Sequence, residues 1–333
     1  MQDKYHSTPL PARTIEGQLP QQPDDAKLQQ YVHAATSDNT RKTYRSAIRQ
    51  FERWGGLLPT DVPTLLRYLL DKAEQANPRT LDLHLTAIAQ WHHTQRFRNP
   101  VDDPQIKKTM EGIRRIHGRP KQKAKALRLE HIVAMVAHLQ AQPASLKGAR
   151  DLALLLIGFF GAFRRSELVG IQWEDLTWED EGLLVQLPKS KTDQSGEGQV
   201  RALPFGHDAI CPGTALQTWL KQSDITSGPV FQSMTRWGQL KGTAMNPGAV
   251  NELLKQLGTT CQFEFVPDLS AHSLRRGLST SAAREDIPFE LIKKQGGWRS
   301  DATVWGYIEE GKQLEDNANT SLLAKANALL KKT

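Results

Sequence analysis

From about residue 25 to about residue 117, apolar positions recur at intervals of three and four. Between Ser37 and Trp54, the residues Thr40, Tyr44, Ile48, Phe51 and Trp54 line one face of a helix that opens on capping residues. The period returns in Thr64 to Glu74, through Leu65, Leu66, Leu69 and Leu70. It returns again in Arg79 to Gln95, through Leu81, Leu85, Ile88 and Trp91, with Asn77-Pro78 marking the break. No alternating apolar run precedes residue 120, so 25–117 is expected to be an all-α domain. Residues 1–24 are polar, rich in Pro and Gln, and lack the apolar core of a secretory signal. They are expected to be disordered.

Beyond residue 126 the pattern mixes. Leu129 to Leu139 and Gly148 to Gly161 are helical and apolar, whereas Leu183 to Leu187 and Gln199 to Pro204 are expected to be strands. Between those strands, 188–198 is polar and basic, the tip of a long hairpin. Helices are expected at 213–221, 247–257, 271–285, 288–295 and 301–308. The fold class is therefore mainly α with a small antiparallel β-sheet (α+β), the second domain covering 127–312. In the tail, 313–333, Leu322, Leu323, Ala326, Leu329 and Leu330 form an apolar stripe. The longest uncharged apolar run, the twelve residues Leu152 to Phe163, falls short of the ~20 a bilayer requires. It is expected to be a core helix, and no membrane partner is expected.

Charge alters this picture at one place. The 333 residues carry 43 Lys and Arg against 36 Asp and Glu, a net +7. Between Lys107 and Ala126, eight basic residues face Glu111 alone, so a net +7 lies within twenty residues. The run ends in 118–126, which has no apolar period. A solvated charge run is the ordinary reading, but one joining two domains suits a strap along a phosphate backbone. The two cysteines, Cys211 and Cys261, exclude a disulfide framework and point to a reducing, cytoplasmic setting.

Common catalytic signatures are absent: no Walker A loop, G-x-G-x-x-G, H-E-x-x-H or G-x-S-x-G occurs. Three segments stand out instead. Gly161-Ala-Phe-Arg-Arg-Ser-Glu-Leu168 ends an apolar helix on two arginines close to Glu167. In Ser270-Ala-His-Ser-Leu-Arg-Arg-Gly277, His272 and Arg275 share a helix face, an imidazole beside a forked cation. Gly296-Gly-Trp-Arg-Ser-Asp-Ala-Thr-Val-Trp-Gly-Tyr307 implies a turn and a new short helix, after which Trp298 and Tyr307 face one cleft. Singly, each has an ordinary reading: an internal ion pair, a chance H-x-x-R, two core aromatics.

In order, R-x-S-E-L, a hairpin lysine, H-x-x-R, a G-W turn and a Tyr resemble the tyrosine recombinases (the phage-integrase family). Within them they resemble the Cre-like members with Trp in place of a second histidine. The resemblance covers most of the chain and implies the following. Residues 25–117 would be a core-binding (SAM-like) DNA-binding domain, 118–126 a basic linker, and 127–312 a catalytic domain closing with it as a C-shaped clamp on DNA. Tyr307 would be the nucleophile. Arg164 (with Arg165 as the alternative), supported by Glu167, and the pair His272 and Arg275 would surround the phosphate. Lys191 (with Lys189 as the alternative) would be the hairpin general acid, and Trp298 a hydrogen-bond donor.

The implied activity is site-specific DNA recombination through a 3′-phosphotyrosyl intermediate and a Holliday junction, with no metal, ATP or other cofactor. Implied partners are a double-stranded recombination site, a dimer on one site, a homotetramer on paired sites docked through the tail, and an accessory protein in some systems. Arg41, Lys42, Arg45, Arg79, Arg119, Lys121, Lys123, Lys125, Lys189 and Arg276 are expected DNA contacts. Type IB topoisomerase-like or hairpin telomere resolvase activity, and a catalytically silent DNA-binding protein of the same fold, stay open as alternatives.

Overall fold

The computed structural model describes residues 25–120, 122–188, 198–206, 210–312 and 318–331. The chain divides after Lys121 into two compact units. The first contains α1 (Asp25–Ala34), α2 (Asp38–Trp54), α3 (Val62–Lys72), α4 (Pro78–Thr94) and α5 (Pro104–His117). Ser37, Asp61, Asn77 and Asp103 cap α2 to α5 by accepting backbone N–H groups of the first turn. Proline in the first turn of α3, α4 and α5 sits where an N–H has no helical partner to lose.

Phe51, Leu65, Leu69, Leu81, Leu85 and Ile88 form this unit's core with Ile106 and Met110. One expected position differs. Leu70 is 63% exposed, while Tyr68 is buried with its hydroxyl 2.6 Å from Nδ1 of buried His84. A buried phenol needs a polar partner, and His84 supplies it. A count of apolar residues alone overlooks such a pair.

The second unit is organised on α7 (Leu146–Phe160), whose Leu154, Leu155, Leu156 and Ile157 are fully buried. At about 1.5–3 kcal/mol for each such side chain, this helix is the main anchor. Around it pack α6 (Leu129–Ala141), α9 (Pro212–Ser223), α10 (Pro247–Thr260) and α11 (Ala271–Arg284). α8 (Arg165–Gly170) leads into an antiparallel sheet of β1 (Leu176–Glu179), β2 (Gly182–Leu187) and β3 (Gln199–Pro204), in that order. Leu183 pairs with Leu203 and Val185 with Arg201, all four facing inward. A second hairpin joins β4 (Gln232–Met234) to β5 (Leu240–Ala244). β1, β4 and β5 are too short to show a period, and the sequence pattern does not reveal them.

Three further helices follow: α12 (Phe289–Gly296), α13 (Asp301–Lys312) and α14 (Ala318–Leu330). α11, α12 and α13 enclose a small core of their own, made of Ala282, Ala283, Ile292, Trp298, Val304 and Tyr307. Ahead of α6, Lys125 and Leu127 donate their N–H groups to the carbonyls of Asp268 (3.2 Å) and Ser273 (3.0 Å). On α14, Leu322, Leu323, Leu329 and Leu330 are exposed, the last of them to 74%. Among the described residues no helix is long and apolar enough to cross a membrane.

Candidate active site

Where α7 ends, Ala162 takes a left-handed backbone (φ 48°), and its carbonyl accepts a hydrogen bond from Nη1 of Arg275. A non-glycine residue held there is strained, a cost that gathers at functional sites. Two residues on, Arg164 caps α8. Its backbone N–H donates to Oε2 of Glu167 (2.8 Å) and its Nη1 to Oε1 (2.5 Å). Glu167 is buried and thus fixes the direction of Arg164, while Arg165 is exposed.

α11 brings the next pair. His272 is exposed in the first turn, and Arg275, one turn on, is 2% exposed. The Arg275 guanidinium lies 4.3 Å over the Trp298 ring, and its Nη2 is buried without a hydrogen-bond partner. The Trp298 and Tyr307 ring centroids are 5.4 Å apart, and the Tyr307 hydroxyl lies 3.4 Å from Nε2 of His272. Both aromatics are core residues and cleft residues at once. A hollow of about 200 Å³ lined by Arg164, Arg165, Asn251, Ser270 and His272 opens here. A larger one, about 910 Å³, is lined by Lys123, Lys125, Arg128, Arg276 and Glu310 and contains none of the catalytic candidates.

The electrostatics are those of an anion site. Burial, then the like charges of Arg164 and Arg201, pull Arg275 down to about 10, with Glu167 and Tyr307 opposing. The Tyr307 phenol is pushed up by burial while Arg275, Arg276 and Arg164 pull it back, so at neutral pH it keeps its proton. Uncompensated buried cations beside a neutral phenol favour an incoming group with negative charge.

Arg164, Glu167, His272, Arg275, Trp298 and Tyr307 therefore come together. Lys189, Lys191 and Lys121 lie outside the described residues. Two expected DNA contacts make internal bonds. Arg276 is buried beneath the Tyr307 ring, 5.7 Å from its centroid, with both oxygens of Glu310 on its Nη2. Arg41 is spent on the carbonyls of His33 and Thr36 and on Asp38. In both, internal acceptors take up part of the guanidinium, and the Nε of Arg276 is buried without a partner. Lys42, Arg45, Arg79, Arg119, Lys123 and Lys125 are exposed. Arg79 donates to the Arg119 carbonyl (3.1 Å), and Lys123 lies 3.8 Å from Glu310.

The sequence pattern misses Arg201, a third guanidinium in the cluster. Val200 and Ala202 look like the apolar face of β3, but the register turns Arg201 and Leu203 inward. A one-residue slip exchanges the faces of a strand. Among the described residues no group of three His, Cys, Asp or Glu side chains is placed to hold a metal.

A helical second unit with a small sheet, and a tyrosine ringed by arginines and a histidine, define a tyrosine recombinase. The phage integrase family model matches residues 125–313. An integrase/recombinase described as a XerD homolog, from Selenomonas ruminantium, is 36% identical over 302 residues, 88% of this chain and 87% of the relative. The chain belongs to the phage integrase family, and site-specific recombination is the activity that membership assigns.

Solved structures share the fold at low identity. XerH site-specific recombinase bound to palindromic difH substrate, in a post-cleavage complex, gives a TM-score of 0.62 at 16% identity, over 87% of this chain and 79% of XerH. A Tn1549 transposon integrase with transposon right-end DNA gives 0.57 at 16%, over 92% and 98%. A lambda integrase dimer on a COC′ core site gives 0.57 at 12%, over 88% and 78%.

Proposed function

We propose that Tyr307 attacks a phosphodiester of double-stranded DNA. The phenolic oxygen bonds to phosphorus, the bond from phosphorus to the 5′ oxygen breaks, and a 3′-phosphotyrosyl link with a free 5′-hydroxyl results. His272 takes the phenolic proton, and Lys191 protonates the leaving oxygen. Arg164 and Arg275 hold the non-bridging oxygens, since arginine stays charged and binds two oxygens at once. Trp298 donates its indole N–H to a phosphate oxygen. The bond energy stays in the protein–DNA link, so the step reverses onto a second strand without ATP, through a Holliday junction. The observation that carries this reading is the Tyr307 hydroxyl 3.4 Å from His272, next to the unpartnered Nη2 of Arg275.

A nicked suicide duplex carrying the target site, mapped first by footprinting, tests it. Wild type is expected to be trapped as a covalent adduct, and Tyr307→Phe to bind the same duplex and form none. An adduct with Tyr307→Phe, or none with wild type, refutes the assignment.

The exposed leucines of α14 support docking of this helix on a neighbouring copy, giving a dimer on one site and a tetramer on paired sites, in the cytoplasm. Truncation after Glu315 is expected to weaken assembly on paired sites and leave single-site binding intact, as read by native gel shift. Equal loss of both contradicts the docking.

A further inference from the structure

We infer that Arg201 is a positioning residue for strand cleavage: it fixes the Gly296–Gly297 turn and thereby the seat of Trp298 under Arg275. The inference rests on the cleavage reading above.

Arg201 occupies a core position of β3, 2% exposed, paired across the sheet with Val185 and sharing its face with Leu203. A guanidinium there is costly unless its N–H groups do something an aliphatic chain cannot. Burial holds its pKa below the ordinary arginine value, and its Nε is buried without a partner. Its Nη2 donates to Oε1 of Gln199 (2.9 Å) and to the carbonyl of Gly296 (3.2 Å). Gly296 ends α12, where carbonyls have no partner within the helix. A leucine would fill the space and leave that carbonyl unsatisfied.

The turn is pinned from both sides. A Cβ on Gly297, whose φ is +58°, would come 2.1 Å from Nη2 of Arg201; a Cβ on Gly296 would come 1.7 Å from the Trp298 ring. The guanidinium therefore lies on one side of the turn and the indole on the other, with no slack between. From Trp298 the contacts run on to Arg275 at 4.3 Å and Tyr307 at 5.4 Å. Gln295 adds a neutral tie, its Nε2 donating to the carbonyls of Phe160 (2.7 Å) and Ala202 (3.1 Å). Arg201 acts through Trp298, not on the phosphate.

The test uses full-length Arg201→Met, Arg201→Lys, Gly297→Ala and the Arg201→Met/Gly297→Ala double variant, with the nicked suicide duplex. For Arg201→Met, duplex affinity is expected to stay at the wild-type value while single-turnover adduct formation falls on the order of 10²-fold, as for a misplaced catalytic group. Arg201→Lys should recover part of that rate. Gly297→Ala should show the same loss, and the double variant should be no slower than either, because both act on one turn.

A duplex with a neutral methylphosphonate at the scissile position separates positioning from charge. It should relieve Arg275→Gln, which lacks a phosphate-holding cation, and leave Arg201→Met slow. Relief of Arg201→Met, additive losses, or wild-type cleavage by Arg201→Met each overturn the inference while the cleavage reading stands. A wild-type chain that forms no Tyr307-dependent adduct overturns both. Should Arg201→Met fail to fold, Arg201→Lys with Gly297→Ala provides the same cycle.

Discussion

Arg275→Gln is expected to melt at a higher temperature than wild type and to lose strand cleavage. The two effects share one cause. Arg275 is charged, almost wholly buried, and one of its nitrogens has no partner in the free chain. Its folded pKa, about 10, lies below that of a solvated arginine in the unfolded chain. Below about pH 10 both states hold the proton, so the folded state bears the full cost of the buried charge. Between that value and the higher one of the unfolded chain, the folded state releases its proton first, so the cost fades and stability rises with pH.

At neutral pH the penalty is present in full. Glutamine removes the charge and still has an N–H to offer the Ala162 carbonyl. A gain of about 1–2 kcal/mol, within the range for neutralised buried charges, raises the melting temperature by about 2–8 °C. Adduct formation should fall on the order of 10²–10³-fold, as when one preorganised donor leaves a transition state. Thermal melts with and without sulfate complete the test. Sulfate should stabilise wild type and have little effect on Arg275→Gln. A variant that melts lower than wild type, or responds to sulfate as wild type does, contradicts this account.

Glu167→Gln, within the same cluster, should act in the opposite direction on stability. Glu167 accepts both the backbone N–H and the Nη1 of Arg164. The amide keeps one acceptor oxygen and turns an N–H₂ group towards the other donor, so Arg164 is left uncompensated. Removing one partner of a buried pair costs about 3–5 kcal/mol. Water reaches part of the Arg164 side chain, 24% exposed, which argues for the lower end, about 3 kcal/mol. That predicts a fall of about 6–12 °C by circular dichroism. Cleavage should drop on the order of 10²-fold, since the cation is no longer aimed. Arg164→Ala/Glu167→Ala should regain much of the stability and none of the activity. If the double variant is as unstable as Glu167→Gln, the pair does not account for the loss.

Much of this was legible in the residue pattern. The helical first unit follows from its three-and-four spacing, and the hairpin of β2 and β3 from two apolar runs around a polar stretch. Tyr307, His272, Arg275 and Arg164 could be picked out because their residue types are rare on apolar elements and their order matched a family. What escaped did so for physical reasons. Arg201 hides in a strand whose apolar-looking face turns outward. Arg276 looked like a surface cation because its partner, Glu310, is 34 residues away and only the packing of α13 on α11 unites them. Tyr68 and His84 satisfy each other across two helices, a pairing that linear spacing does not reveal.

The mounting of Tyr307, the proposed nucleophile, has a practical consequence. Tyr307 belongs to the six-residue core of α11 to α13, not to the large core around α7. Ion pairs from Arg276 to Glu310 and from Lys293 to Asp301 help hold those helices. A region with so few apolar contacts opens at lower free energy than the rest of its unit. Warming or mild denaturant will therefore silence this chain before the bulk of it melts. Failed activity in a crude sample is then a poor gauge of misfolding, and inactive preparations deserve a spectroscopic check before they are discarded.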